Sequence, residues 1–454
     1  MQKGTSNPSL KSAGKKRALP DDGPVAGPSG THANNFFPLF ARPAKQAKSE
    51  HDTASAQAFR WIQPTPFLPG VRTTSCLYGV NKEPDLHPKI AIFDLDGTVI
   101  KSTFAKAKSK VLFEWWNKTV PVKLKELHED GYAIVFISNQ NLGDTRVKSW
   151  KTKFNAIAES LPDLPFRIFA ATDKDIFRKP LPGMWYALES IYKSGDVSID
   201  IDASFYVGDA AGRSGDFAGT DRKFASNAGL KFFTPEEYFL DLKSTPHSLK
   251  GFNASVLAMD GPTVLPSSTP IVPPKLQPCV PEIVLFVGYP SSGKTAFFKR
   301  HFEASAYEHI DESVLKTRSK YLPAIESSIK NGVSCVVETV DSSRGHRKLF
   351  LDLAQRLSCS IRCFAFQASF DLAWHNNIYR ALGKPVLAAH RSRVYEPWEM
   401  RSLTPKSNFE TYKATHEEPT LAEGFGEIKK VHWKFEGEEE ERRLWNMWLQ
   451  IDGK

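Results

Sequence analysis

The stretch Lys89-Ile90-Ala91-Ile92-Phe93-Asp94-Leu95-Asp96-Gly97-Thr98-Val99 decides how the rest of the chain is read. Ile90 to Phe93 are apolar and rich in β-branched and aromatic residues, the composition of a strand buried in a parallel sheet. Asp94 and Asp96 then leave the strand at its carboxyl end, where open parallel sheets build their sites, with Gly97 for a sharp turn and Thr98 as a cap or polar ligand. Alternate residues of an extended chain point the same way, so both carboxylates can face one ligand. Two like charges that close need a cation, and a hard, oxygen-ligated ion such as Mg²⁺ suits them. A surface Asp-x-Asp-Gly turn explains the tetrapeptide alone equally well, and later stretches decide between the two.

With 454 residues the chain is too long for one ordinary core, and two or three domains are expected. Sixty basic against 51 acidic residues give a net charge of +9, which favours a polyanionic partner such as nucleic acid. Five scattered cysteines (Cys76, Cys279, Cys335, Cys359 and Cys363) form no metal-type cluster and fit free thiols in a reducing compartment. No signal-peptide core opens the chain and no run approaches a membrane span, so a soluble, intracellular protein without membrane contact is expected.

Residues 1–58 are rich in Ser, Ala, Gly, Pro and Lys and read as a disordered basic tail. Lys15-Lys16-Arg17 in that tail suits a nuclear localisation signal, so the nucleus is the expected compartment. The aromatic island Asn35-Phe36-Phe37-Pro38-Leu39-Phe40 suits either a partner-binding peptide or a segment that packs back on its own protein. Residues 59–243 alternate strand and helix signals, which predicts a doubly wound α/β domain. Within it Ala133-Ile134-Val135-Phe136-Ile137 delivers Ser138-Asn139-Gln140. Phe166-Arg167-Ile168-Phe169-Ala170-Ala171-Thr172 leads to Arg178-Lys179-Pro180, and Ser204-Phe205-Tyr206-Val207 delivers Gly208-Asp209. Residues 244–281 are dense in Pro, Ser and Thr and predict an extended linker. A second doubly wound α/β domain, 282–454, opens with Glu282-Ile283-Val284-Leu285-Phe286-Val287.

These strand ends supply every part of a phosphate hydrolysis through a carboxylate nucleophile. Asp94 is the candidate nucleophile and Asp96 the acid and then the base. Ser138 and Lys179 grip the phosphate, and Asp209 joins Asp94 and Asp96 as a metal ligand. Through Asp94-Leu95-Asp96-Gly97-Thr98, Ser138, Lys179 and Gly208-Asp209 the chain resembles the haloacid dehalogenase superfamily of phosphohydrolases. Phe177-Arg178-Lys179-Pro180-Leu181-Pro182-Gly183-Met184-Trp185 and Tyr206-Val207-Gly208-Asp209-Ala210-Ala211-Gly212-Arg213 narrow the resemblance. So does Asp221-Arg222-Lys223-Phe224-Ala225, and together they resemble the polynucleotide kinase 3′-phosphatase family of DNA end-repair enzymes. The resemblance implies removal of a 3′-phosphate from a broken DNA strand. Asp216 and Asp221 lie in the loop that supplies further acidic residues near the metal in that family, and which of them reaches it is left open.

Gly288-Tyr289-Pro290-Ser291-Ser292-Gly293-Lys294-Thr295 fits G-x-x-x-x-G-K-[ST] directly after a strand and before a helical stretch. In that context backbone N–H groups wrap the phosphates of ATP, Lys294 reaches the outer ones and Thr295 binds Mg²⁺. The family resembled carries a 5′-hydroxyl kinase in this position, and Trp374-His375-Asn376-Asn377 and Pro419-Thr420-Leu421-Ala422-Glu423-Gly424-Phe425 also resemble that half. One departure stands out. Where the family has Asn-Arg-Asp, with the Asp as general base, this chain has Asp311-Glu312-Ser313, which leaves Ser313 in the expected position and Asp311 or Glu312 as substitutes. The neutralising cation is expected from Arg380, Arg391 or Arg393.

The expectation is a monomeric, Mg²⁺-dependent enzyme that heals DNA strand breaks. It converts 3′-phosphate and 5′-hydroxyl ends to the 3′-hydroxyl and 5′-phosphate a ligase needs, with the tail available to recruit repair proteins. The alternative is a 3′-phosphatase whose P-loop domain binds ATP or DNA but transfers phosphate weakly or not at all.

Overall fold

A computed structural model describes residues 59–62, 75–102, 112–140, 142–257, 263–274, 280–391, 394–396 and 398–451. The expected tail with its basic cluster and aromatic island, Cys279 and Arg393 lie outside the described residues. Two sheets organise the chain. The first holds β1 (Phe59–Ile62), β2 (Cys76–Asn81), β3 (Lys89–Phe93), β4 (Tyr132–Asn139), β5 (Phe166–Ala171), β6 (Phe205–Val207) and β7 (Lys231–Phe233), in the order β1-β2-β5-β4-β3-β6-β7. From β5 to β7 every pairing is parallel, while β2 and β1 are added antiparallel. β3 lies inside this run, and Ile90, Ala91, Ile92 and Phe93 are fully buried, as their composition requires.

The chain lays β4 and β5 to one side of β3, then returns to add β6 and β7 on the other. That reversal opens a crevice outside the carboxyl ends of β3 and β6, where Asp94 and Asp209 emerge. Helices Val120–Glu129, Asp144–Glu159, Gly183–Ser194 and Thr220–Ala228 make the crossovers. The sheet's two faces carry separate apolar clusters, one around Phe93, Phe136 and Phe154 and one around Phe169, Trp185 and Tyr206.

The second sheet contains β8 (Val264–Leu265), β9 (Glu282–Val287), β10 (Glu308–Asp311), β11 (Cys335–Glu338), β12 (Ser360–Phe366) and β13 (Glu427–Val431), in the order β10-β11-β9-β12-β13-β8. β9 to β13 are all parallel, with β9 as the pivot of the strand order. The stretch read as a linker does more than span. Val264 and Leu265 add an antiparallel edge strand beside β13, and the carbonyls of Pro266 and Thr269 accept hydrogen bonds from the buried Lys429 ammonium at 3.0 and 2.9 Å. A proline directly after two apolar residues is compatible with an edge strand, because its missing N–H faces no partner there.

Residues from both halves share cores. Val386 of the second half joins the Trp185 cluster, and Leu181 of the first joins the cluster around Trp445. The Asn227 amide donates to the Trp448 carbonyl and accepts from the Trp448 N–H, both at 2.8 Å.

His375 is buried against Trp445, and its Nε2 donates to the Trp445 carbonyl at 2.7 Å. Burial pushes its pKa down to about 4. An unfolded histidine titrates near 6.5. Between those values the unfolded chain binds the extra proton, so stability present above about pH 6.5 is lost as the pH falls through 4. Urea midpoints measured from pH 7 to pH 4 are expected to fall more steeply for the natural protein than for His375→Gln. Parallel curves would show that His375 titrates as an exposed imidazole does.

Candidate active sites

Asp94 follows β3 directly and is tied to the next strand by its N–H, which donates to the Val207 carbonyl at 2.9 Å. Its carboxylate is buried and lies 2.6 Å from the Lys179 ammonium. Lys179 is 1% exposed, too little for water to satisfy its ammonium, and the remaining partners are internal. They are the Asp221 carboxylate at 2.8 Å, the Ile137 carbonyl at 2.9 Å and the Tyr206 hydroxyl at 2.9 Å. Burial works against the ammonium's charge, but Asp221 and Asp94 outweigh it and the pKa is raised.

Asp94, Asp209 and Asp221 bring carboxylate oxygens within 4.8 Å of one another. Three carboxylates face one ammonium there. Burial raises the pKa of Asp94 well above the usual carboxylate range, with Asp221 and Asp209 adding to it against the opposing Lys179. Burial, followed by Asp221, pushes Asp209 up to about 7. A cluster that carries more negative charge than its own cation balances, built of oxygen donors only, fits a hard divalent ion.

The turn is shaped around Asp209. Gly97 sits at φ +91°, and a Cβ there would come 2.0 Å from Asp209 Oδ2. Thr98 is buried, and its hydroxyl accepts the Asp209 N–H at 3.0 Å. The Asp96 carboxylate stands apart from the three-carboxylate cluster. One of its oxygens accepts from the Gln140 amide at 2.6 Å, the other pairs with the Lys153 ammonium at 3.1 Å, and the Gln140 amide also donates to the Ser138 hydroxyl at 2.9 Å. Of the two acids left open by the sequence, Asp221 reaches the cluster, while Asp216 is held by Arg213 at 3.0 Å. Sequence reading missed Lys153, which comes from the helix Asp144–Glu159 with no motif around it, and Tyr206, which looked like one more apolar strand residue.

In the second half the loop 288–295 follows β9 and leads into the helix Lys294–His301. Lys294 is buried, with its ammonium on the Gly288 and Tyr289 carbonyls at 2.9 and 3.0 Å, and burial lowers its pKa. The Thr295 hydroxyl donates to Glu338 at 3.2 Å. A cavity of about 640 Å³ opens here, lined by loop residues including Gly288, Pro290, Ser291, Ser292, Gly293, Lys294 and Thr295 together with Asp311, Glu338, Arg380 and Arg401. Tyr289 turns away and packs on Tyr412, ring centroids 4.4 Å apart.

Asp311 ends β10 and faces this cavity. Its Oδ1 accepts from the Ser313 hydroxyl at 2.6 Å and the Ser313 N–H at 2.8 Å, and its Oδ2 lies 4.0 Å from Arg401. Glu312 is committed elsewhere, bonded to His346 at 2.8 Å and to the Val340 N–H at 3.0 Å. Arg380 donates to Ser291 at 2.9 Å, and burial, followed by Arg401, pushes its pKa down to about 10. Two guanidiniums facing one cavity favour an anionic occupant. Arg391, by contrast, pairs with Glu440 at 3.4 Å and does not line the cavity. Arg401 had no signal in the sequence.

The fold and the two sites define a two-part enzyme, a carboxylate phosphohydrolase joined to a P-loop kinase. Residues 89–239 match the family described as Polynucleotide kinase 3 phosphatase. The bifunctional polynucleotide phosphatase/kinase of Schizosaccharomyces pombe is 37% identical over 368 residues, 80% of this chain and 83% of that one. A putative bifunctional polynucleotide phosphatase/kinase of Acanthamoeba polyphaga mimivirus is 28% identical over 83% of this chain and 90% of its own length. A polynucleotide 3′-phosphatase of Arabidopsis thaliana is 37% identical over 35% of this chain and 25% of that one. The chain belongs to the bifunctional polynucleotide phosphatase/kinase family.

Gly97→Ala is expected to displace the Asp209 carboxylate and cut 3′-phosphate release on the order of 100-fold, while 5′ labelling from ATP continues. Phosphate release at the natural rate, read as liberated inorganic phosphate, would mean that Asp209 is not needed where it stands.

Proposed function

We propose that the two sites heal the two ends of a broken DNA strand, the first hydrolysing a 3′-phosphate and the second phosphorylating a 5′-hydroxyl with ATP. The observation that carries the reading is the convergence of Asp94, Asp209 and Lys179 at the switch point of the first sheet. Asp94 attacks phosphorus, the P–O3′ bond breaks, and Asp96 gives its proton to the departing 3′-oxygen. Asp96 then takes a proton from water as that water attacks the aspartyl-phosphate, and inorganic phosphate leaves with Asp94 restored. Ser138 holds a non-bridging oxygen, and Lys179, bonded to Asp94 at 2.6 Å and enclosed by Asp221 and the Ile137 carbonyl, holds the nucleophile in position. Asp94 and Asp209, with Asp221 beside them, would hold Mg²⁺, which would supply charge neutralisation on the phosphoryl oxygens.

In the second site Asp311 accepts the 5′-hydroxyl proton while that oxygen takes the outer phosphate and ADP leaves. Ser313 holds Asp311 in place, and Arg380 and Arg401 offset the charge of the transferring group. Thr295 and Glu338 are the groups suited to a second Mg²⁺. The phosphatase-only reading is not favoured, because Asp311 faces the same cavity as Lys294. No described helix is long and apolar enough to cross a membrane. Action on DNA ends, with the basic cluster of the tail, supports nuclear residence.

A nicked duplex with 3′-phosphate and 5′-hydroxyl ends, incubated with Mg²⁺ and γ-labelled ATP, tests both reactions in one tube. Asp94→Ala is expected to abolish 3′-phosphate release while labelling continues, and Lys294→Ala the reverse. Asp311→Asn is expected to lower labelling about 10²–10⁴-fold, and Ser313→Ala considerably less. Full labelling by Asp311→Asn would remove Asp311 from the role of base.

A further inference from the structure

The loop after β6 leaves Asp209 and closes on itself, with the Gly212 N–H donating to the Ala218 carbonyl at 3.1 Å. Asp216 pins the residues between them. Its Oδ2 accepts the N–H groups of Ala211 and Arg213 at 3.1 and 3.0 Å, and Arg213 Nε reaches both of its oxygens. The outer nitrogens of Arg213 reach Glu236 at 2.7 Å and the Asp209 carbonyl at 3.3 Å. Between Asp216 and Ala218, Phe217 is 90% exposed, and every other described Phe, Tyr and Trp is buried or half-buried.

A lone exposed apolar residue usually needs no explanation. Phe217 differs in its mount and its location. The backbone around it is fixed by charge-assisted bonds, so little ordering remains for a ligand to impose. The loop's closure at Gly212 is three residues from Asp209, at most about 11 Å of chain. A substrate of this family offers a π-face on every base, and aromatic side chains bind single strands by stacking on such faces.

We propose that Phe217 is the stacking platform for the base of the nucleotide that carries the 3′-phosphate, and so a substrate-positioning residue of the first site. The proposal rests on the phosphatase reading of the Asp94 site. The test compares the KM for an oligonucleotide 3′-phosphate with that for the same strand ending in an abasic 3′-phosphate, for the natural protein, Phe217→Ala and Phe217→Trp. The natural protein is expected to favour the base-bearing end about tenfold, Phe217→Ala to lose that preference, and Phe217→Trp to keep it. An undiminished preference in Phe217→Ala, or equal losses on both strands, overturns the stacking role. If the natural protein releases phosphate from neither strand, the phosphatase reading falls with it.

Discussion

The Lys179 ammonium, enclosed by Asp94, Asp221, the Ile137 carbonyl and the Tyr206 hydroxyl, is the contact on which the first half of the molecule depends. It links the ends of β3 and β4, the strand β6 and the helix Thr220–Ala228 at one point. A buried ammonium is tolerable only when its donors are satisfied by charge and by hydrogen-bond acceptors, and here all of its near partners are oxygen. The same contact orients Asp94, the candidate nucleophile. Asp94 would repel Asp209 and Asp221 if no cation stood between them, and Lys179 offsets only part of that charge. The residual imbalance that suits a divalent ion follows from the packing itself.

The second half solves a related problem with different parts. Lys294 is buried on two loop carbonyls, while Arg380 and Arg401 crowd one cavity with Glu338 and Asp311 opposite them. In the first site the excess charge is negative and suits a cation. In the second, the paired guanidiniums suit the phosphates of a nucleotide. The join between the halves is not a bare tether. Asn227 grips Trp448 through both its backbone groups, and Tyr186 stacks on His390 with ring centroids 4.5 Å apart. The helix Gly183–Ser194, which bears Tyr186, starts just after Lys179. The helix Lys384–Arg391, which bears His390, continues from the π-helical turn that carries Arg380. The elements at the join are therefore those that hold a cation in each site.

The departure at 311–313 illustrates how a site tolerates a shifted residue. Moving a carboxylate two positions along a strand end ordinarily carries it out of reach. Here Asp311 closes β10 and faces the cavity, while Ser313, in the following turn, folds back to donate to it. Glu312, the first residue of the short helix Glu312–Leu315 that follows β10, is taken up by His346 and the Val340 N–H.

The sequence by itself determined the parallel core of each sheet, because apolar strand runs ending in Asp94, Ser138, Asp209 and the 288–295 loop are local patterns with a fixed periodicity. Its motifs also pointed to a phosphohydrolase in the first half and a nucleotide cradle in the second, while leaving the base of the second site open between Asp311 and Glu312. Only the tertiary structure decided which of Asp216 and Asp221 joins the cluster, and that Asp96 is held by Gln140 and Lys153 rather than among the other carboxylates. It alone drew Val264 and Leu265 into the second sheet and chose Asp311 over Glu312 and Arg401 over Arg391 as the groups facing the cavity. These outcomes depend on which side chain a distant element leaves room for. Strand order and packing set that, and no run of neighbouring residues encodes it.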